Sequence, residues 1–348
     1  MLTYASTFPA GFKDVIAQAM KYCVPDGKII ALDDGLVVYK SNMRRDRLTK
    51  AACFTNTYLV LSLYENILSP QYKKVAKSPA DIMAFLSKHI NAQTISQIHK
   101  ARGELSTFRI MAWKDGAPTV VDKRIRETLE NLILIKNQYV VNRLKPQSEL
   151  AFHLRRDGIA FFGMRLTYPT WEEKKQGERE IKPELAYLLC VISQPKESDV
   201  VLDPLASVGT IMSTRATYFP YKLIVASDPS QEHAHVIKAL HAKLGKNFVI
   251  GQMDPGELDE IPDGSVSAII TQLPSSFTLA ADATSLYRAI FQSAQKALSP
   301  SGVLVFCTTE KELTDTLIKD DVSLQLHNKW NILINGRKAA VYKLTKRL

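Results

Sequence analysis

Polar side chains recur at the ends of short apolar runs in the C-terminal half of this 348-residue chain. Asp203, Asp228 and Asp254 come at or shortly after three such runs, and Gln272 follows a fourth. They are 25, 26 and 18 residues apart, about one strand–helix repeat each. Carboxylate and amide oxygens accept hydrogen bonds. An acidic residue after the second strand commonly holds ribose hydroxyls, and one after the third could accept from an adenine amine.

The segments that carry these side chains alternate between strand and helix patterns. Near-continuous apolar runs typical of buried parallel strands lie at 200–202, 223–226, 248–250, 268–270 and 303–306. Helical periodicity covers 231–244 and 285–298, with further helices near 184–193 and 310–319. Asn335-Gly336 between the β-rich runs 330–334 and 339–344 predicts a hairpin. Residues 183–348 are therefore predicted to form a Rossmann-like α/β domain, a parallel sheet ending in an antiparallel hairpin.

The loop after the first strand of this domain has the composition of a ligand-binding turn. It contains Asp203, Pro204, Ala206, Ser207, Gly209 and Thr210. Small residues let a ligand approach the backbone closely, and the following helix start offers free N–H groups. The loop is neither a GxGxxG nor a P-loop. A purely structural turn remains the alternative, as do helix capping by Asp228 or Ser230 and a turn role for Asp254.

The first 168 residues are predicted to be α+β, with the order β-α-β-β recurring as in ferredoxin-like units. Strands are expected at 2–7, 36–39, 57–63, 108–113, 149–154 and 160–166, and helices at 11–22, 79–90 and 123–135. The predicted division is a first domain at 1–65, a second at 66–168 and a polar linker at 169–182.

The net charge of +10 is confined to one part of the chain. Residues 1–194 carry 29 basic and 19 acidic side chains, whereas the remainder carries 16 of each. This asymmetry predicts a polyanionic partner, most commonly nucleic acid, met by the N-terminal region. A solvated basic face is the alternative.

Several classes of protein are disfavoured by composition. The four cysteines are scattered without metal-ligand or disulfide spacing, which predicts reduced thiols, no metal site and a cytoplasmic protein. No apolar run reaches the roughly 18 residues of a membrane span, and the N-terminus lacks the pattern of a secretory signal.

Longer motifs resemble one family. VVLDPLASVGTI (200–211) is similar to VVLDPFxGSGTI, and IITQLPSSF (269–277) occupies the place of a D/N-P/L-P-F/Y-G motif. Residues 2–20, 35–40, 107–116, 149–167, 179–193 and 286–313 extend the likeness along nearly the whole chain. The chain thus resembles class I S-adenosyl-L-methionine-dependent methyltransferases, and more narrowly the THUMP-domain RNA methyltransferases that modify guanosine N2 in tRNA.

This resemblance implies roles for the residues above. The 203–210 loop would cradle the methionine part of the cofactor, Asp228 would hold the ribose and Asp254 the adenine amine. Gln272, with the backbone of Leu273 and Pro274, would hold the target amine. The region at 66–168 would be a THUMP-like RNA-binding domain after a ferredoxin-like domain at 1–65.

The sequence departs from the family pattern at demanding positions. Ser207 and Val208 stand in place of glycine and serine, Gln272 in place of Asp or Asn, and Ser275 in place of a stacking aromatic that Phe277 could replace. A valine at a position needing positive φ would be strained. A catalytically impaired RNA-binding protein is therefore the alternative function, and a DNA methyltransferase is a third hypothesis. A dinucleotide-dependent oxidoreductase lacks its glycine fingerprint.

Overall fold

The computed structural model describes residues 1–65, 78–102, 106–134, 139–156, 158–167, 181–244, 247–275, 283–321 and 323–347. The chain divides into two compact units. The N-terminal unit consists of Met1–Phe8 and Val24–Thr170, and the C-terminal unit of Pro9–Cys23 and Trp171–Leu348. The finer division of the N-terminal unit near residue 65 stays a prediction.

One sheet of nine strands organises the N-terminal unit. Its strands are β1 (Leu2–Thr7), β2 (Lys28–Asp33), β3 (Leu36–Ser41), β4 (Asn56–Glu65), β5 (Thr107–Lys114), β6 (Ala117–Thr119), β7 (Val140–Val141), β8 (Ser148–Leu154) and β9 (Ile159–Arg165). The order is β2-β3-β1-β4-β9-β8-β5-β6, with β7 beside β5. All six strands expected from the sequence are confirmed, whereas β2, β6 and β7 were not expected. The short β6 and β7 carry too few residues for a period-2 pattern to show.

Four helices of the N-terminal unit lie within the described residues. They are α2 (Arg45–Leu48), α3 (Pro79–Lys88), α4 (Ala92–Arg102) and α5 (Lys123–Leu134). Nearby residues determine where α3 begins. Ser78 and Asp81 form a reciprocal capping box, and Pro79 occupies the first helical position. The helices α2 and α4 were missed, since α2 is a single turn and α4 has a weak apolar stripe.

A histidine of β8 packs among aromatic rings of this unit, with its Nε2 shielded from solvent. The His153 ring stacks on Phe161 with centroids 4.6 Å apart and meets Tyr58 edge-on at 4.4 Å. Burial, together with the charges of Arg165 and Arg155, lowers the pKa of His153 to about 3. The imidazole is therefore neutral in the folded protein at any pH at which the protein is handled.

Replacing His153 by phenylalanine is expected to remove part of the acid sensitivity of this unit. Below pH 6.5 the unfolded chain binds a proton that the folded chain excludes, so wild-type stability falls as pH drops toward the folded pKa. At pH 5 the loss from this one group is about 2 kcal/mol. Urea unfolding at pH 7 and pH 5 measures it, with exposed His89→Phe as control. A wild-type-to-variant difference that is equal at both pH values would contradict the assignment.

A seven-stranded sheet forms the centre of the C-terminal unit. Its strands are β10 (Val200–Asp203), β11 (Leu223–Ser227), β12 (Phe248–Gly251), β13 (Val266–Gln272), β14 (Leu298–Thr308), β15 (Leu324–Ile334) and β16 (Arg337–Lys346). The order is β12-β11-β10-β13-β14-β16-β15, parallel through β14 and antiparallel from there. The predicted Rossmann-like fold with a terminal hairpin is confirmed. Asn335 and Gly336 have φ of 49° and 79°, as a type I′ turn requires.

In the described part of the C-terminal unit there are six helices. They are α1 (Lys13–Cys23), α6 (Pro183–Ile192), α7 (Thr210–Tyr218), α8 (Gln231–Leu244), α9 (Ala283–Ala297) and α10 (Lys311–Asp320). The expected helices are confirmed to within a few residues, and α7 follows the predicted helix start at Thr210. No helix in the described ranges is both long enough and apolar enough to cross a membrane.

The segment that carries α1 packs within the C-terminal unit, although it comes near the start of the chain. Trp330 Nε1 donates to both carboxylate oxygens of Asp14, at 3.0 and 2.9 Å. Gly11 has φ of 99° and lies so close to β15 that a Cβ there would overlap the Asn331 carbonyl. Residues 9–23 are therefore an integral part of the domain formed mainly by residues 181–347.

Candidate functional site

The predicted site residues follow neighbouring strands at the carboxyl edge of the C-terminal sheet. Asp203 ends β10, Asp228 follows β11, Asp254 lies three residues beyond β12, and Gln272 ends β13. The chain leaves β10 toward β11 on one side, while β13 lies on the other. The carboxyl ends of β10 and β13 therefore flank a topological switch point, where open α/β sheets bind their ligands.

The loop after β10 is held by hydrogen bonds that its backbone N–H groups donate. The N–H of Leu205 donates to Asp203 Oδ1 at 3.1 Å, and that of Ala206 donates to the Ser227 carbonyl at 2.8 Å. The Ser207 N–H donates to Asp228 Oδ2 at 2.8 Å, and the Gly209 N–H to the Ala206 carbonyl at 2.7 Å. These four donors are used inside the protein. The loop thus offers a ligand the close approach of a small-residue backbone, and free N–H groups only from its other residues.

Backbone strain in this loop falls on a serine. Ser207 has φ of 49° and Gly209 has φ of 82°, whereas Val208 is outside the left-handed region. The strain considered for Val208 is therefore absent, and the strained residue is Ser207. A non-glycine residue in this region costs about 1–2 kcal/mol.

Replacing Ser207 by glycine is expected to stabilise the protein by up to about 1 kcal/mol, since the released strain exceeds the added freedom of the unfolded chain. Val208→Gly is the matched control, and it is expected to destabilise by about 0.5–1 kcal/mol because its φ already suits an L-residue. Thermal unfolding of the two variants beside wild type measures both effects. Equal destabilisation by the two glycines would contradict the strain argument.

Asp228 joins the loop to the start of α8. Its Oδ2 accepts from Ser207, and its Oδ1 accepts from the Ser230 N–H at 2.9 Å and meets His233 Nδ1 at 2.9 Å. Ser230 Oγ accepts from the His233 N–H at 3.4 Å, so the serine caps the helix. A carboxylate has about four lone-pair positions. Asp228 is buried, and these three partners leave one lone-pair position, on Oδ2, which a ligand hydroxyl would have to reach. The partly exposed His233 beside it was not singled out by the sequence reasoning.

Asp203 and Asp254 differ in exposure. Asp203 is buried beneath the loop, and burial raises its pKa to about 7 against the opposing effect of the Thr271 hydroxyl and the Leu205 N–H. Its position makes it a support for the loop. Asp254 is exposed, and its Oδ1 accepts from the Gly256 N–H at 2.7 Å in a turn. Pro204, Ala206, Gly209 and Thr210 lie in or directly after the same loop, as expected.

The segment after β13 is held by hydrogen bonds to Cys307 and Tyr287, which the sequence analysis did not place beside it. The Leu273 N–H donates to the Cys307 carbonyl at 3.0 Å. The Tyr287 hydroxyl donates to the Pro274 carbonyl at 2.8 Å and lies 2.6 Å from the Thr308 hydroxyl. Gln272 is partly exposed and directly precedes this anchored segment. Phe277 lies outside the described residues.

The state of the cysteine thiols and of the candidate metal ligands bears on the chemistry that this edge of the sheet can do. All four cysteines are free, and burial raises the pKa of both Cys190 and Cys307 to about 12, which makes these thiols unreactive. Within the described ranges, no three His, Cys, Asp or Glu side chains are grouped so that they could hold a metal ion.

Comparison with known proteins identifies the kind of domain. Residues 171–338 match a family model described as UPF0020, RMKL-like, methyltransferase domain. The crystal structure of TrmN from Thermus thermophilus is similar with a TM-score of 0.77 and 17% identity over 100% of both chains. A possible methylase from Clostridium difficile 630 gives 0.69 and 16% over 100% of this chain and 98% of that one. SMU.472 complexed with SAH gives 0.65 and 11% with the same coverage. No curated protein matches the sequence.

The fold and the family match point to the same class of domain. At these identities the structural likeness shows the fold alone, and residues 171–338 are similar to the methyltransferase domains that the family model describes. Domains of this class take their methyl group from S-adenosyl-L-methionine. The switch-point position, the small-residue loop and the lone-pair position left on Asp228 Oδ2 fit such a nucleoside cofactor.

Proposed function

We propose that the protein is an S-adenosyl-L-methionine-dependent RNA methyltransferase that methylates guanine N2 in tRNA. The observation that carries the proposal is the placement of Asp228 and Gln272 at the carboxyl edge of one sheet, on opposite sides of the strand β10. One side chain faces a cofactor position and the other a substrate position. The surplus of positive charge in residues 1–194 supports a nucleic-acid substrate.

In this proposal the cofactor lies over the 203–210 loop. Asp228 Oδ2 would accept from a ribose hydroxyl, and His233 would keep the carboxylate oriented through Oδ1. The exposed carboxylate of Asp254 would accept from the adenine amine. The cofactor, when bound, supplies an activated methyl group on a sulfonium.

The protein's remaining task is to present the target amine. A guanine amine is a weak nucleophile because its lone pair is delocalised into the ring. The Gln272 side-chain oxygen and a backbone carbonyl of Leu273 or Pro274 would each accept one of its N–H bonds, which turns the lone pair toward the methyl carbon. Tyr287 would hold the Pro274 carbonyl in place. The methylated amine would carry a positive charge and release its proton to water, so positioning and charge placement account for this catalysis without a strong base.

Methyl transfer to defined nucleic acids tests the proposal. The purified protein is incubated with S-adenosyl-L-methionine carrying a labelled methyl group and with total tRNA, ribosomal RNA or duplex DNA, and the nucleosides are separated by mass spectrometry. The expected product is N2-methylguanosine from tRNA alone. Methyladenine or N4-methylcytosine in DNA would instead show a DNA methyltransferase.

Calorimetry with SAH distinguishes the proposed enzyme from the alternative, a catalytically impaired RNA-binding protein. That alternative is favoured by the strained Ser207 and by glutamine at position 272. It predicts no heat at high micromolar SAH together with intact binding of tRNA. If SAH binding releases heat but no methyl group is transferred to any of the nucleic acids, the proposed cofactor is supported and the proposed tRNA substrate is rejected.

A further inference from the structure

Asp228 has room for one hydroxyl group of a ligand, whereas a ribose brings two adjacent ones. Its Oδ1 already accepts from the Ser230 N–H and from His233 Nδ1, both at 2.9 Å. Its Oδ2 accepts from the Ser207 N–H at 2.8 Å, which leaves one of about four lone-pair positions. A hydroxyl that loses water without gaining a partner weakens binding. A ribose held by Asp228 therefore needs a second residue for its other hydroxyl.

The surroundings of Asp228 keep its carboxylate in this orientation. Its side chain is 7% exposed, so the carboxylate has little space in which to turn. The next residue is fixed from the neighbouring strand, because Gln252, directly after β12, donates through Nε2 to the Pro229 carbonyl at 3.1 Å. Turning the carboxylate would also release the backbone N–H groups that it holds in the loop after β10 and at the start of α8. Asp228 thus presents the same single acceptor position to any ligand.

His233 provides a second polar atom at the same place. Because a carboxylate only accepts hydrogen bonds, the Nδ1 that contacts Asp228 Oδ1 must carry the hydrogen. In the neutral ring the other nitrogen, Nε2, then holds a lone pair and accepts. The His233 side chain is 40% exposed, and its Nε2 makes no hydrogen bond with the residues that the structure describes. The imidazole therefore offers a ligand hydroxyl an acceptor of fixed tautomer directly beside Asp228.

We propose that His233 is a cofactor-binding residue, whose Nε2 accepts from one ribose hydroxyl of the cofactor while Asp228 Oδ2 accepts from the other. Two neighbouring acceptors match two neighbouring donors, so both hydroxyls keep a partner when the ribose leaves water. The bond from Nδ1 to Oδ1 fixes the ring and the carboxylate relative to each other before the cofactor arrives, which lowers the entropic cost of binding. The inference rests on the proposed contact between Asp228 and the ribose, and it adds the second residue that holds this sugar.

Calorimetry with SAH on variants at position 233 tests the inference. Asparagine keeps an amide donor where Nδ1 lies but ends there, whereas the longer glutamine places its amide near the position of Nε2. His233→Asn is expected to bind SAH about tenfold more weakly, as for one lost hydrogen bond, and His233→Gln within about threefold of wild type. The matched control is His235→Asn on the same helix, where Nδ1 contacts the Gln231 carbonyl at 2.7 Å. Residues two apart do not share a helix face, so this control should bind SAH like wild type.

Analogues of SAH that lack one ribose hydroxyl make the test specific. Wild type is expected to bind the 2′-deoxy and the 3′-deoxy analogue each about tenfold more weakly than SAH. In His233→Asn, one of the two analogues should bind as tightly as SAH binds to that variant, because the missing hydroxyl has already lost its partner. The other analogue should still bind about tenfold more weakly than SAH, since its missing hydroxyl is the partner of Asp228.

The outcomes separate this inference from the proposed function. Wild-type affinity of His233→Asn for SAH, or equal losses for both analogues in that variant and in wild type, would overturn the role of His233 and leave the proposed function as it stands. If His233→Gln binds SAH as weakly as His233→Asn does, the ring acts only by orienting Asp228, and the inference is wrong. Wild type that gives no heat with SAH would reject the proposed cofactor site and this inference together.

Discussion

Replacing Arg215 by methionine is expected to lower the free energy of unfolding of the C-terminal unit by about 3–5 kcal/mol. Arg215 lies on α7 and is completely buried. Its Nη2 donates to Asp199 Oδ2 at 2.7 Å and to the Pro220 carbonyl at 3.0 Å, and its Nη1 donates to Ser193 Oγ at 3.1 Å. Truncating one member of a buried ion pair leaves the other charge without its partner, which is the costly part.

A double-mutant cycle makes this prediction specific. Asp199→Asn in the Arg215→Met background is expected to recover part of the lost stability, because the carboxylate left behind is also nearly buried. Arg288→Met is the control, since Arg288 is exposed on α9 of the same unit. Urea unfolding measures the control and the four proteins of the cycle, which include Asp199→Asn alone. A loss below about 1 kcal/mol for Arg215→Met would show that methionine packing compensates for the pair.

Replacing Gln272 by alanine is expected to slow methyl transfer about 100-fold while SAH affinity stays within twofold. The reason is that the side-chain oxygen would orient the target amine, and misplacement of a reacting group by about 1 Å costs on the order of 100-fold in rate. The cofactor would lie on the other side of β10, over the 203–210 loop, so its binding should not respond.

Gln272→Asn is the matched variant, because it keeps the amide oxygen and restores a residue type found at this position in the family that the sequence resembles. We expect it to retain at least the wild-type rate. Single-turnover transfer to tRNA gives the rates, and calorimetry with SAH gives the affinities. Transfer by the alanine variant within threefold of wild type would remove Gln272 from the proposed mechanism.

Part of the site was predictable because each residue follows a strand. Asp203, Asp228 and Gln272 come directly at or after apolar runs, and parallel strands place their carboxyl ends at one edge. The partners of these residues were not predictable. Tyr287 reaches Pro274 from α9, and His233 meets Asp228 from the first turn of α8, through side-chain directions that no spacing in the sequence encodes.

The sequence by itself determined the order of strands and helices and the Rossmann-like class of the C-terminal unit, because buried parallel strands and amphipathic helices leave clear apolar periods. Only the tertiary structure decided where α1 packs. Its apolar stripe of Val15, Ile16, Ala19 and Met20 shows that one face is buried, but a stripe does not name the surface that covers it. Likewise, positive φ fell on Ser207 because hydrogen bonds to neighbouring strands set the path of the loop.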